Sequence, residues 1–313
     1  LPVMAGNFIP ADSGKLDYSD YAILDFVPDS TGTYGKVARM HRPLSSPRKG
    51  YNWDNPGARL RLKTDSKAVT IHLIYNDKHI STSARNPIGI YYIDGQSKPD
   101  WTFRTKARKK VRKVEKLDLK MPAGNGRMHT YEIIMPYGDS IDIAGVTVDD
   151  GAKLVKPEPR PAYRCGIYGD SVTHGFTAKA IGGTYAYKLA KLKNWQLVNL
   201  GIGGRSSGSS AGDGLILGKL ELDRLVILMG VNDWQGGRNI ASYKKNMKKF
   251  IADFRKLQPT IPMTFITPLW VPSFWKPKRA KYDLEDYRKA LSEVVKQAND
   301  PNIQLIEGPG LID

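Results

Sequence analysis

The 313-residue sequence has a single cysteine, Cys165, which rules out an internal disulfide and leaves the cellular compartment unread from its thiols. Its place in an apolar run predicts a small buried core residue rather than a reactive thiol. Histidine is also scarce: His41, His72, His79, His129 and His174 are the full set. Neither residue type clusters at metal-ligand spacing, and no metal or organic cofactor is implied. No apolar run approaches the roughly 20 residues needed to cross a bilayer, so no transmembrane segment is expected. The opening Leu1-Pro2-Val3-Met4 has neither the charged nor the apolar region of a secretory signal. Such a signal is expected to be absent or already removed, and a start without Met favours removal or trimming.

Acidic residues are few as well. Against 48 Lys+Arg stand 31 Asp+Glu, a net charge of +17. Charge of that size favours anionic glycans, anionic cell surfaces or nucleic acid as partners. No nucleic-acid-binding motif accompanies it, and no nucleic-acid partner is expected. The densest basic cluster puts eight cations between Arg104 and Lys116, with smaller ones at Lys244–Lys249 and Lys276–Lys281. The plain reading of each is a solvated face. Hydrophobic content of 41% and charged content of 25% are ordinary for a globular chain, and the length suits two domains.

Residues 1–152 sustain no helical period. Short runs rich in β-branched, aromatic or alternating residues recur instead, at Tyr21–Val27, Val37–His41, Ala58–Leu62, Val69–Tyr75, Ile88–Ile93, Val114–Leu119, His129–Met135 and Ile141–Val148. Turn signals such as Asp94-Gly95 separate them, which predicts an all-β, jelly-roll-like sandwich. The alternation Arg59-Leu60-Arg61-Leu62-Lys63 predicts one solvated sheet face carrying the cations. Residues 153–162, with alternate prolines, read as a stiff extended linker. From 163 to 313 the pattern changes to strand then helix. Strands are expected at Arg164–Tyr168, Gln196–Leu200, Arg224–Met229, Met263–Thr267 and Ile303–Ile306, and helices at Tyr185–Lys193, Ile240–Leu257 and Asp283–Asn299. That alternation predicts a three-layer α/β domain with a parallel, flavodoxin-like sheet and a ligand site at the carboxyl ends of its strands.

Three blocks fall at such ends. Tyr168-Gly169-Asp170-Ser171-Val172-Thr173-His174-Gly175 follows the first strand, Gly201-Ile202-Gly203-Gly204-Arg205 the second, and Gly230-Val231-Asn232-Asp233-Trp234 the third. A serine where a strand gives way to a helix is exposed next to backbone N–H groups that stabilise negative charge, as a nucleophile requires. The tripeptide alone is weak evidence, because Tyr137-Gly138-Asp139-Ser140 repeats it between two strand-like runs, where it reads as a hairpin turn.

The ordered set, Gly-Asp-Ser-x-Thr-x-Gly, Asn-x-x-Ile-x-Gly and Gly-x-Asn-Asp, resembles the SGNH (GDSL-type) hydrolases. A sandwich ahead of the hydrolase domain resembles carbohydrate esterase family 2 and related polysaccharide deacetylases. The resemblance implies a serine O-acyl esterase acting on an acylated polysaccharide, with Ser171 as nucleophile and Gly204 and Asn232 as oxyanion donors. An anionic polysaccharide would suit the net charge, and a secreted or periplasmic location is the matching expectation. A lipase or thioesterase of the same superfamily is the alternative. The general base implied by the resemblance is a His in an Asp-x-x-His segment after the fifth strand, and the sequence has no His after His174. That segment is expected beyond residue 313, and a catalytically inactive glycan-binding protein is a further alternative. His174 itself, three residues from Ser171, is poorly placed to meet both the hydroxyl and an acidic partner. Trp234, and Trp270 and Trp275 in the loop after the fourth strand, are candidates to stack on sugar or to pack.

Overall fold

The computed structural model describes residues 6–44, 53–80, 88–104, 114–210, 212–272, 274–275 and 277–311. In chain order the sequence forms β1 (Asn7–Pro10), β2 (Asp17–Ser19), β3 (Ile23–Pro28), β4 (Lys36–His41), β5 (Arg59–Thr64), β6 (Val69–Ile80), β7 (Ile88–Ile93), β8 (Thr102–Arg104), β9 (Glu115–Lys120), β10 (His129–Ile134), β11 (Asp139–Val148) and β12 (Leu154–Val155). There follow β13 (Arg164–Gly169), α1 (Ser171–His174), α2 (Tyr185–Lys193), β14 (Gln196–Gly201), α3 (Asp213–Leu217), β15 (Arg224–Leu228), α4 (Val231–Gln235), α5 (Ile240–Leu257), β16 (Met263–Ile266), α6 (Leu284–Ala298) and β17 (Ile303–Ile306). Two compact units result, one from Leu1–Arg42, Arg48–Ala162 and Gly175–Leu197, the other from Pro43–Pro47, Tyr163–His174 and Val198–Asp313.

The first unit is a β-sandwich. One antiparallel sheet runs β3-β4-β11-β6-β9 with β1 added on β11, and the other runs β12-β5-β10-β7-β8 with β2 added on β5. Alternate residues of both sheets share one core: Met40, Ile71, Leu73 and Ile143 from the first meet Leu60, Leu62, Tyr131 and Ile133 from the second. All eight expected strands are present. The short strands β1, β2, β8 and β12 were not legible, because two to four residues give too little alternation to register.

Three local expectations change. The Tyr137–Ser140 turn is not a hairpin, because β10 and β11 belong to different sheets and the chain crosses the sandwich there. Gly138 N–H donates to Asp54 at 3.2 Å and Ser140 Oγ donates to the Trp53 carbonyl at 3.0 Å. The start of the proline-rich segment also pairs, as β12 on β5, before the prolines end it. The cations of β5 are not a solvated face: Arg61 is buried, and Arg59 and Arg61 meet Asp17, Asp20 and Glu132. Most of the Arg104–Lys116 cluster lies outside the described residues. His41, His72 and His129 bond locally to Asp25, Asp118 and Asp94.

Helix α2 belongs to this unit. Its N-cap, Thr184, accepts from Tyr187 N–H, it ends on Asn194 in the left-handed region, and its Tyr187 hydroxyl lies 3.1 Å from that of Tyr92 on β7.

The second unit is built on a five-stranded parallel sheet, β14-β13-β15-β16-β17. Numbered from β13, this is the order 2-1-3-4-5, which reverses direction between β13 and β15 and opens a crevice at their carboxyl ends. Helix α5 has the expected bounds and buries Tyr243, Met247, Phe250, Ile251 and Phe254 along one stripe, with Asn239 capping its start. Helix α6 begins with a capping box between Asp283 and Asp286 and buries Leu284, Tyr287, Leu291 and Val294. Cys165 is a core residue of β13, and burial pushes its thiol up to about 12. No described helix is long and apolar enough to cross a membrane.

Candidate active site

Strand β13 lies between β14 and β15. Gly169 is level with Leu228, the last residue of β15, and its carbonyl accepts from Ile202 N–H at 3.0 Å. Ser171 comes two residues after Gly169, Gly204 two after Ile202 and Asn232 four after Leu228. The register therefore brings all three to one edge of the sheet, on strands spaced about 4.8 Å apart.

Ser171 opens α1, and its residue is partly exposed while Asp170, Thr173 and His174 are buried. The turn is held by Asp170, whose carboxylate accepts from Val172 N–H at 2.9 Å and whose carbonyl accepts from His174 N–H at 3.0 Å. Helix α1 can lie this close to β14 only because Gly201 has no side chain: a Cβ there would sit 2.2 Å from the His174 nitrogen.

Gly204 has φ +80°, a left-handed conformation that costs glycine little, and open space where a Cβ would be. The next residue anchors the loop. Arg205 is buried, its Nε donates to Asp213 at 2.9 Å and to Tyr168 at 3.3 Å, and the Tyr168 hydroxyl donates to the same carboxylate. Burial raises the pKa values of both Tyr168 and Asp213, and the Arg205 guanidinium opposes the rise at each. The Arg205 carbonyl accepts from Asn232 Nδ2 at 2.8 Å, which fixes the Asn232 amide plane. The other Nδ2 hydrogen of Asn232 has no acceptor among the described residues, so it is available for a ligand oxygen.

Asp233 ties the two loops together from below. Its carboxylate accepts from Ser207 N–H at 2.9 Å and Ser207 Oγ at 2.6 Å, and pairs with Arg238 at 2.6 Å. Sequence reasoning assigned no role to Arg205, Asp213 or Asp233. Arg205 and Asp233 lie inside the quoted blocks, but nothing local marks Asp213 as the partner of Arg205.

Burial pushes Asp170 up to about 7; the Val172 N–H opposes the rise and the charge on Asp233 adds to it. Its pKa in the fold lies above the ordinary 3.8, so the native state holds a proton that the unfolded chain has lost. Its contribution to stability is complete below about pH 4 and disappears as pH rises through about 7. Asp170→Asn keeps the acceptor for Val172 and removes the charge. Urea midpoints for this variant should match the parent near pH 4, exceed it at pH 8 and depend less on pH between them. A parent that is as stable at pH 8 as Asp170→Asn overturns the assignment.

The tryptophans differ in exposure. Trp234 is only 5% exposed, donates its indole N–H to the Tyr282 carbonyl at 3.1 Å and meets the Trp275 ring edge-on at 5.4 Å, so its rings are committed to packing. Trp270 is 55% exposed, Trp275 43% and Phe274 89%. Arg288 of α6 pins the start of their loop by donating to the carbonyls of Pro268 and Leu269 at 2.8 and 2.7 Å. Among the described residues no group of three or more His, Cys, Asp or Glu forms a metal-binding cluster.

Residues 167–308, which contain all three strand-end blocks, match the GDSL-like lipase/acylhydrolase family. This segment is a GDSL-like acylhydrolase domain. The protein is accordingly a carboxylic ester hydrolase. Solved structures share the architecture of the whole chain. The salicylyl-acyltransferase SsfX3 from a tetracycline biosynthetic pathway is 18% identical with a TM-score of 0.76, over 98% of this chain and 86% of that one. A family two carbohydrate esterase from Clostridium thermocellum, in complex with cellohexaose, is 15% identical with a TM-score of 0.65, over 93% and 88%. One from Cellvibrio japonicus is 13% identical with a TM-score of 0.65, over 96% and 88%. At these identities the likeness is one of fold. A search of curated protein sequences gave no match. In the acylhydrolase domain, Ser171, Gly204 and Asn232 stand on the three strand ends just described.

Proposed function

We propose that the protein is a serine O-acyl esterase that removes acetyl groups from a polysaccharide. The observation that carries this reading is the placement of Ser171, Gly204 and Asn232 at the ends of three adjacent parallel strands, with one Asn232 amide hydrogen unspent. Ser171 Oγ attacks the acyl carbon, and the carbonyl oxygen takes on negative charge. The N–H groups of Ser171 and Gly204 and the Nδ2 of Asn232 stabilise that charge at fixed positions. Collapse expels the sugar hydroxyl, and water then releases acetate from the acyl-enzyme. The proton from Ser171 goes to a general base. His174 is buried in α1 and has its backbone wedged against Gly201, an arrangement that suits structure better than proton shuttling.

The carbohydrate part of the reading is supported by the shared architecture with family two carbohydrate esterases and by the exposed faces of Trp270 and Trp275, which suit the apolar side of a sugar ring. A secreted or periplasmic enzyme fits such a substrate. The strongly exposed Phe274, beside Trp275, favours a second reading, a lipase or thioesterase. Ester chain length separates the two. The full-length protein should cleave an aryl acetate at least about tenfold faster, in kcat/KM, than the matching octanoate, since each methylene is worth that order in a shaped pocket. It should also release acetate from an acetylated xylan. A preference for the octanoate with no acetate release establishes the lipase reading instead.

A further inference from the structure

The side of β5 that carries Arg59 and Arg61 closes part of a polar cavity of about 320 Å3 within the first unit. Three guanidiniums are involved, and three carboxylates match them. Arg59 pairs with Glu132, and its Nε lies 3.2 Å from Asp20. Arg61 pairs with Asp17 at 3.0 Å and Arg160 with Asp20 at 2.6 Å. Lys191 of α2 is a fourth cation lining the cavity, and none of the described carboxylates lies within ion-pair distance of it. Its ammonium donates to the Tyr92 hydroxyl at 3.0 Å and lies 4.7 Å from the centroid of that ring.

Hydrogen-bond donors are also left over. The hydroxyls of Tyr92 and Tyr187 bond to each other, and whichever donates, one O–H is without an acceptor among the described residues. The Nε groups of Arg59 and Arg61 are buried without a hydrogen-bond partner, since their nearest carboxylate oxygens are badly aligned or, for Arg61, 3.8 Å away. These two Nε groups face protein rather than the open cavity, and the adjoining carboxylates compensate their charge. The carboxylate of Glu158, on an exposed residue lining the cavity, pairs with none of the described cations, and its charge disfavours a multiply charged anion.

We propose that this cavity binds a monosaccharide-sized ligand carrying one carboxylate, of the hexuronate class. The carboxylate would pair with Lys191, and a ring or hydroxyl oxygen would accept from the tyrosine hydroxyl. The volume is at the lower end of small-molecule sites and leaves room for a sugar ring as well as the carboxylate. None of these residues belongs to the acylhydrolase site, so the proposal stands or falls separately from the esterase reading.

Calorimetric titration of the full-length protein with D-glucuronate, D-glucose and inorganic phosphate tests it. Glucuronate should bind saturably, glucose at least about tenfold more weakly, and phosphate without displacing glucuronate. Lys191 is on an exposed residue, so Lys191→Gln should fold normally and weaken glucuronate binding about tenfold or more, and Tyr92→Phe should weaken it as well. Both variants should keep the parent's melting temperature to within a few degrees and its aryl-acetate hydrolysis. Absence of saturable glucuronate binding overturns the proposal, as does equal affinity for glucose, displacement by phosphate, or an unchanged affinity in Lys191→Gln.

Discussion

Ser171→Ala should reduce hydrolysis of an aryl acetate to background, a fall in kcat of about 10⁶-fold, because the proposed mechanism forms the acyl-enzyme on the Ser171 hydroxyl. Ser140→Ala is the matched control, with the same preceding residues, Tyr-Gly-Asp. Ser140 is buried at the start of β11 and spends its hydroxyl on the Trp53 carbonyl. Its loss should cost about 1 kcal/mol of stability and leave turnover near normal below the melting temperature. Steady-state kinetics of both variants, beside urea unfolding of each, decide the matter. Full activity in Ser171→Ala, or lost activity in a folded Ser140→Ala, means that the wrong serine has been chosen.

The second largest effect is expected at Asn232. In Asn232→Ala, kcat should fall by about 10²- to 10³-fold while KM changes little, because the proposed mechanism has the unspent Nδ2 hydrogen act on charge that exists only in the transition state. The substitution also removes the donor to the Arg205 carbonyl, so unfolding must be followed in parallel. Hydrogen-bond loss alone would cost about 1 kcal/mol of stability without such a fall in turnover. A change confined to KM assigns Asn232 to substrate positioning instead.

Both effects depend on rigidity supplied from below. The Tyr168–Asp213–Arg205 cluster fixes the loop that carries Gly204, and the Arg205 carbonyl fixes Asn232. Asp233 binds the Ser207 end of the same loop and Arg238. In the proposed mechanism, donors held this way need not reorganise when the oxyanion forms.

The sequence by itself determined the elements that run long enough to show a period or that end on a marked block. The three- and four-residue recurrence of Ile240, Tyr243, Met247, Ile251, Phe254 and Leu257 marked α5, although Leu257 is exposed and Phe250 is buried in the fold; strand–helix alternation marked the parallel sheet, and three glycine-containing blocks marked its strand ends. Only the tertiary structure decided the order 2-1-3-4-5, and with it the adjacency of Ser171, Gly204 and Asn232, because strand order depends on which apolar faces pack and not on any local pattern. It decided that Tyr137–Ser140 crosses between sheets, although turn chemistry there suits a hairpin equally well. It also decided the fate of the cations on β5. Alternation places Arg59 and Arg61 on one side of the strand, but whether that side meets water or carboxylates depends on Asp17, Asp20 and Glu132, which come from other stretches of the chain. The pairing of Arg205 with Asp213 and the packing of Trp234 were illegible for the same reason: burial and ion pairing are set by neighbours in space, which the order of residues along the chain does not reveal.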